Sequence, residues 1–346
     1  EIDDAPAAGD ARSLDRLLQQ AADQLRRGPH GRAEGTLHPV RRAVGLGLAR
    51  RSTGIGGGTG AAASLRLLED GSFTLAAVPS SAGAADENAF AAAAASLLGV
   101  PARRVVPAAV DTDSAPFEAG DLAPAFFAAG RAVEQAAELA REKMREAGAR
   151  LLRVAPGDVE LVRGEVRAGD ESVSFADIGT AALRAGQPLV ATASPSAASA
   201  PPSEAVVVAE ADVDTETGVV SVVRLSAIVT GGPLDDARPA EGQVEGALAA
   251  ALEQALAAGV RFDDRGVPRP RPLRSWPLVA ATDIPPLAVS FLPESESSTR
   301  FGAVAVGETA GRAALAAIAT AVARATGGRV RSLPLEPGVV LDLLED

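Results

Sequence analysis

The chain of 346 residues has no cysteine, two histidines and an aromatic content of 3%. Without thiols, a disulfide, a thiolate zinc centre or a cysteine-ligated iron–sulfur cluster is excluded within it. His30 and His38 both fall in what reads as an N-terminal arm. The body therefore has no histidine for a metal site or a Ser-His-Asp triad. Few rings are available to stack on nucleic-acid bases. Basic residues are in deficit, with 33 Lys and Arg against 45 Asp and Glu, a formal net charge of -12. That balance opposes nucleic acid or an anionic membrane as the main partner. No apolar run reaches the ~18 residues of a membrane span without a charge or a turn former. The opening Glu-Ile-Asp-Asp lacks the basic start and apolar core of a secretory signal, so a cytoplasmic address is expected.

What is present is an apolar chain, 47% hydrophobic, in which helical periodicity alternates with β-branched runs. Leu14, Leu17, Leu18, Ala21 and Leu25 recur at helical spacing and predict a helix over 10–27. The glycine-rich run at 49–60 lacks the Lys-Ser/Thr of a P-loop and reads as a flexible link. Apolar alternation on both sides of Asp70-Gly71 predicts a hairpin over 63–78. A helix follows at 86–98, then a short strand from Val105 that Pro107 assigns to a sheet edge. A long amphipathic helix is expected over 125–152 and a second hairpin over 158–175, with Arg163-Gly164 near its turn. The Ser/Pro/Ala stretch at 194–204 marks a boundary. Two strands over 205–229 join at Asp214–Gly218. After them come a helix over 240–258, a strand over 287–292, a loop over 302–309 and a helix over 310–326. The expected class is α+β, built as two stacked α/β subdomains. The expected domains are a helical arm over 1–40, a first subdomain over 41–195 and a second over 204–346 that carries Glu308.

Nine stretches then fall in one order. They are R-A-V-G-L-G-L-A (42–49), E-D-G-S-F-T-L (69–75), L-L-G-V-P (97–101), V-D-T-D-S-A-P (110–116) and G-R-A-V-E-Q-A-A (130–137), followed by V-D-T-E-T-G-V-V-S-V (213–222), G-Q-V-E-G (242–246), A-V-G-E (305–308) and A-T-G-G-R-V-R-S-L-P-L-E-P (325–337). Together they resemble the C-terminal half of the molybdopterin-binding subunit of the molybdenum hydroxylases, the xanthine dehydrogenase/aldehyde oxidase family. The resemblance runs from about residue 40 to the end. It implies an oxidoreductase component that hydroxylates an aldehyde or N-heterocycle. The implied cofactor is molybdenum-molybdopterin in the cytosine dinucleotide form, shared with another chain. The implied partners are that chain, carrying the N-terminal half of the subunit, and iron–sulfur and FAD subunits.

In this resemblance Glu308 stands where the family has its general base beside the molybdenum. A carboxylate in a partly dry pocket suits that task. Read without the resemblance, an acid at the start of a helix caps free N–H groups and complements the dipole. The loops at 82–86, 120–126, 242–246 and 302–308 are implied to line the cofactor, with Gly83, Ala84, Ala85, Ala123, Gln243, Gly302 and Gly307 as its contacts. Several positions depart from the family's pattern. Gly83-Ala84-Ala85 replaces a Gly-Gln-Gly loop, and Ala123-Pro124-Ala125 replaces a polar pair. Thr230-Gly231-Gly232 replaces an Asp-x-Gly turn, and Thr309 replaces a proline. Each lost polar partner leaves a cofactor group unpaired, at ~1–3 kcal/mol. The departures keep open an alternative, a catalytically inactive structural or interaction subunit with the same fold. Among the remaining polar residues, Asp111 and Asp113 read as turn caps. Asp212, Asp214 and Glu216 read as a hairpin turn rather than a calcium loop. Trp276 reads as packing, and Arg269, Arg271 and Arg274 as a solvated loop.

Overall fold

The computed structural model of the chain describes residues 11–27, 39–53, 61–77, 84–108, 122–195, 200–231, 237–260, 262–268, 278–293 and 306–345. Its contacts divide into two units. Unit 1 takes Glu1–Ser52, Pro202–Ser297 and Ala305–Asp346, and unit 2 takes Thr53–Pro201 and Ser298–Val304.

Unit 1 is a sheet with helices on both faces. Strands β1 (Val40–Thr53), β9 (Ala200–Asp214), β10 (Val220–Gly231) and β11 (Leu287–Pro293) lie in the order β1-β9-β10-β11. β9 and β10 pair antiparallel around the turn at Asp214, whose Oδ1 accepts from the N–H groups of Glu216 and Thr217. β10 and β11 pair parallel. A parallel pair needs a crossover, and α5 (Ala237–Leu256) lies in the connection. On one face α1 (Ala11–Arg27) buries Leu17 and Ala21 against Val206, Val208 and Ile228. On the other runs α6 (Val306–Thr326), whose buried side is mostly alanine: Ala310, Ala313, Ala314, Ala317 and Ala321. Small side chains let backbones close in. A Cβ at Gly47 would lie 2.0 Å from the Ala313 carbonyl oxygen, and one at Gly45 would lie 2.1 Å from that of Ala317. The R-A-V-G-L-G-L-A motif is thus the contact of β1 with α6. A short helix, α7 (Pro337–Glu345), buries Val340 and Leu343. Its first carbonyl, on Pro337, would be 2.2 Å from a Cβ at Gly218, so the Asp214–Gly218 turn and the C-terminal motif pack on each other.

Unit 2 has the sheet order β4-β3-β2-β8, from β2 (Ala63–Leu67), β3 (Phe73–Ala77), β4 (Val105–Pro107) and β8 (Val190–Ala193). The β2–β3 hairpin turns at Gly71, with φ +78°, and Asp70 Oδ1 accepts from the Ser72 N–H and O–H. β4 is the edge strand, as Pro107 predicts. Helices α2 (Ala84–Leu98) and α3 (Leu122–Leu152) supply Phe90, Leu98 and Met144 to a core shared with Leu65 and Phe73. Phe175, at the start of α4 (Phe175–Arg184), meets Phe73 edge to face with ring centroids 6.0 Å apart. Ser174 and Asp177 form a capping box that starts α4.

Four expectations are corrected. The segment 158–175 is a three-stranded meander, β5 (Glu160–Val162), β6 (Glu165–Ala168) and β7 (Glu171–Ser174), because Gly169 makes a second turn after Arg163-Gly164. The supposed link at 49–60 is β-strand as far as Thr53. Because β1 bonds to β9, residues 40–52 group with the C-terminal strands, not with the subdomain expected over 41–195. The final helix begins at Val306 rather than 310, which puts Glu308 inside its first turn.

Candidate functional site at the start of helix 6

Val306, Thr309 and Ala310 are buried, so the first turn of α6 is fixed by packing while Glu308 stays part-exposed. Gly307 faces α5, where a Cβ would lie 2.9 Å from the Gln243 carbonyl oxygen. Its missing side chain lets the two helices approach closely. Gln243 itself lies on an exposed face of α5.

Glu308 Oε2 forms an ion pair with Nη1 of Arg51, near the end of β1, and Nη2 of Arg312 lies 4.0 Å from the same oxygen. The Arg51 side chain is 15% exposed and that of Glu308 29%. The carboxylate thus sits beside two guanidinium groups. Arg50, the preceding residue, points to the opposite face of the strand and pairs with buried Glu204 at 3.2 Å. The Glu204 N–H in turn donates to Thr230 Oγ1. Further along β1, Arg42 grips both oxygens of Asp212 at 2.6 Å and lies 3.6 Å from buried Glu210. The hydrogen bonds that it donates to Asp212 hold the Arg42 guanidinium above its ordinary value.

Other expected site residues belong to unit 2. Ala84 and Ala85 are in the first turn of α2, and Ala123 is in the first turn of α3, so none of the three is in a loop. Gly83, Gly302, Asp111, Asp113, Trp276 and Arg269, Arg271 and Arg274 lie outside the described residues. Arg51 and Arg312 were missed from the sequence. Arg312 had a signal, because it is four residues after Glu308 on one helix. Arg51 had none, since it is carried by a strand distant in the chain from Glu308.

Among the described residues no group of three or more His, Cys, Asp or Glu could hold a metal ion. The residues present fit a cofactor carried through its pterin and phosphates rather than by metal bonds to this chain. Alanines at the starts of α2 and α3 offer no side-chain donors, but the first N–H groups of a helix are free and favour anions. No helix among the described residues is long and apolar enough to cross a membrane.

The molybdopterin cofactor-binding domain family matches residues 17–285. The chain belongs to that family. It is 29% identical over 339 residues to a probable hypoxanthine oxidase, XdhD, of Escherichia coli, covering 96% of this chain and 35% of that protein. It is 28% identical over 288 residues to a putative xanthine dehydrogenase molybdenum-binding subunit, XdhA, of Escherichia coli, covering 80% of this chain and 38% of the relative. The fold matches that of quinoline 2-oxidoreductase from Pseudomonas putida with a TM-score of 0.77 and 22% identity, over 97% of this chain and 44% of the other. The chain thus spans little more than a third of the curated relatives it matches.

Proposed function

We propose that this chain works as part of a molybdenum hydroxylase-type oxidoreductase acting on an aldehyde or N-heterocycle, with Glu308 as its general base. The observation that carries the proposal is the part-exposed carboxylate of Glu308, held in the first turn of a packed helix within a molybdopterin-binding family member. The overall reaction converts C–H to C–OH with oxygen from water, releasing two electrons and two protons. The molybdenum group, when bound, supplies the two-electron oxidation. The contribution of this chain is to place an acceptor for one proton. A carboxylate has two acceptor oxygens, and Glu308 presents one beside two guanidinium groups. Backbone N–H groups at Ala84, Ala85 and Ala123 would face the anionic parts of the pterin, taken here in its cytosine dinucleotide form. Gly307 admits the α5 backbone at Gln243, and that close approach helps keep the first turn of α6 in place.

The rest of the relatives' length is the region that would close over the cofactor, and on this reading it is carried by a partner chain. Iron–sulfur and FAD subunits would take the electrons away, because the chain has no cysteine to ligate a cluster. The assembly would work in the cytoplasm. The test is metal and pterin analysis of the chain purified with its natural partners, followed by Glu308→Gln. Stoichiometric molybdenum and released cytosine nucleotide are expected. In the loaded variant, kcat should fall by about 10²–10⁴-fold, the range for a general base. Turnover unchanged in Glu308→Gln, with the cofactor retained, would overturn the assignment.

A further inference from the structure

We propose that the outer edge of β1 is where the partner chain joins this one, by adding an extended strand of its own to the sheet. The inference rests on the reading that another chain supplies the rest of the relatives' length. An open strand edge offers a row of N–H and C=O groups to any segment that fits, so sheets keep their edges short, proline-bearing or charged. The other edge strands follow that rule. β4, β5, β7 and β8 have three or four residues each, and β11 has seven and ends on Pro293. β1 has fourteen residues and no proline, and among the described residues its only strand neighbour is β9. Its arginines do not guard the edge, because Arg42, Arg50 and Arg51 turn to Asp212, Glu204 and Glu308 of this chain.

The side chains of β1 suit a neighbour. Gly45 and Gly47 lie against the α6 backbone, so Leu46 and Leu48 project from the opposite face. They are 36% and 44% exposed, on the face where Val44 packs under α1. A strand laid alongside would cover both leucines with its own apolar side chains, the cross-strand contact that stabilises a pair. Recognition of this kind takes its affinity from main-chain hydrogen bonds and its specificity from alternate side chains.

Charge and length set the occupant. β1 carries four arginines and no acid. A second copy of it would add arginines to arginines, and like charges across a ladder destabilise. The segment that fits has apolar residues opposite 43–49 and acids at its ends. Two arginines can meet those acids. Arg41 is exposed and donates to the Ala325 carbonyl, and the Arg50 side chain is 45% exposed beside Glu204. This chain covers 35% and 38% of two relatives, so most of such a protein lies outside it and can supply the strand.

The experiment is amide hydrogen exchange, read by mass spectrometry, on this chain alone and in the natural assembly purified from its source. In the chain alone about half of the amides over 40–52 should exchange fast, since only one edge is bonded. In the assembly they should slow by about tenfold or more. Cryo-electron microscopy of the assembly should show a fifth strand beside β1. Leu46→Lys and Leu48→Lys, at exposed positions, should leave the Tm of the chain alone unchanged and raise the Kd of the assembly about tenfold or more, as read by sedimentation. Val219→Lys, exposed just before β10, should leave that Kd unchanged.

Full protection of 40–52 in the chain alone would mean that its own residues cover the edge, and would overturn the proposal. A helix, a loop or a second copy of this chain beside β1 would overturn it too, as would a chain that comes from its source without a partner. An assembly that holds molybdenum while 40–52 still exchanges fast would sink the docking edge and leave the proposed function intact. A protected β1 in an assembly without molybdenum would do the reverse. If the Lys variants do not fold, the exchange comparison decides.

Discussion

Two carboxylates in this chain differ by what their oxygens meet. Glu308 shares one oxygen between two arginines. Asp70, at the tip of the first hairpin, accepts the O–H and N–H of Ser72, and these hold its carboxyl below the usual aspartate range. A depressed folded value means that the stabilising contribution is complete above the unfolded value of about 3.9 and is lost as pH falls below it. Ser72→Ala should therefore raise the Asp70 titration midpoint, as followed by carboxyl NMR. It should also lower the urea midpoint at pH 7, and the gap from the unaltered protein should shrink in strongly acidic solution. An equal gap at both pH values would mean that Ser72 acts through packing alone. At this scale Asp70-Gly71 was fully legible, because an acid before a left-handed glycine sets its own turn. The role of Glu308 was only half legible. Its own helix could be seen in the sequence, but the strand that brings Arg51 could not.

At the scale of elements, the glycines divide into those whose missing side chain is needed and those where it is not. Gly47→Ala would drive a methyl into the Ala313 carbonyl and the Ala317 nitrogen, at 2.0 and 2.6 Å. The cost should be about 3 kcal/mol or more, since backbone cannot yield as a side chain can. Gly246 lies inside α5 with nothing within 4 Å of an added Cβ. Gly246→Ala should stabilise by up to about 1 kcal/mol through helix propensity. Urea denaturation of both variants checks the pair of signs. Periodicity exposed most helices and both long hairpins, because each repeats its pattern over many residues. It missed α7, where Pro337 at the first position was a start signal but the helix is only nine residues long. It also missed β1 altogether, since glycines interrupt the apolar run at 42–49 and the arginines, serine and threonine that follow look like a linker. The start of α6 slipped by four residues because Gly307 and Thr309 are poor helix formers on propensity alone, and tertiary packing against α5 overrides that.

At the scale of the whole molecule, unit 2 is drawn almost entirely from one run of chain, while unit 1 is assembled from three. A fragment spanning 61–195 should therefore unfold cooperatively in urea. A fragment spanning 202–346 should not, because it lacks the strand that pairs with β9. Adding residues 39–53 back as a separate peptide should restore structure to the longer fragment, seen as recovered dispersion in its NMR spectrum. The net charge of -12 and the family match were both readable in the sequence, but this division of labour between chain segments was not. It has a consequence for synthesis. The β1 strand leaves the ribosome before its sheet partners, and residues 53–201 of unit 2 must be translated before its neighbour in the sheet exists. Until then a leucine-bearing ribbon waits with its hydrogen-bonding edges open, and whatever chaperone meets the nascent chain will find that ribbon before it finds a finished domain.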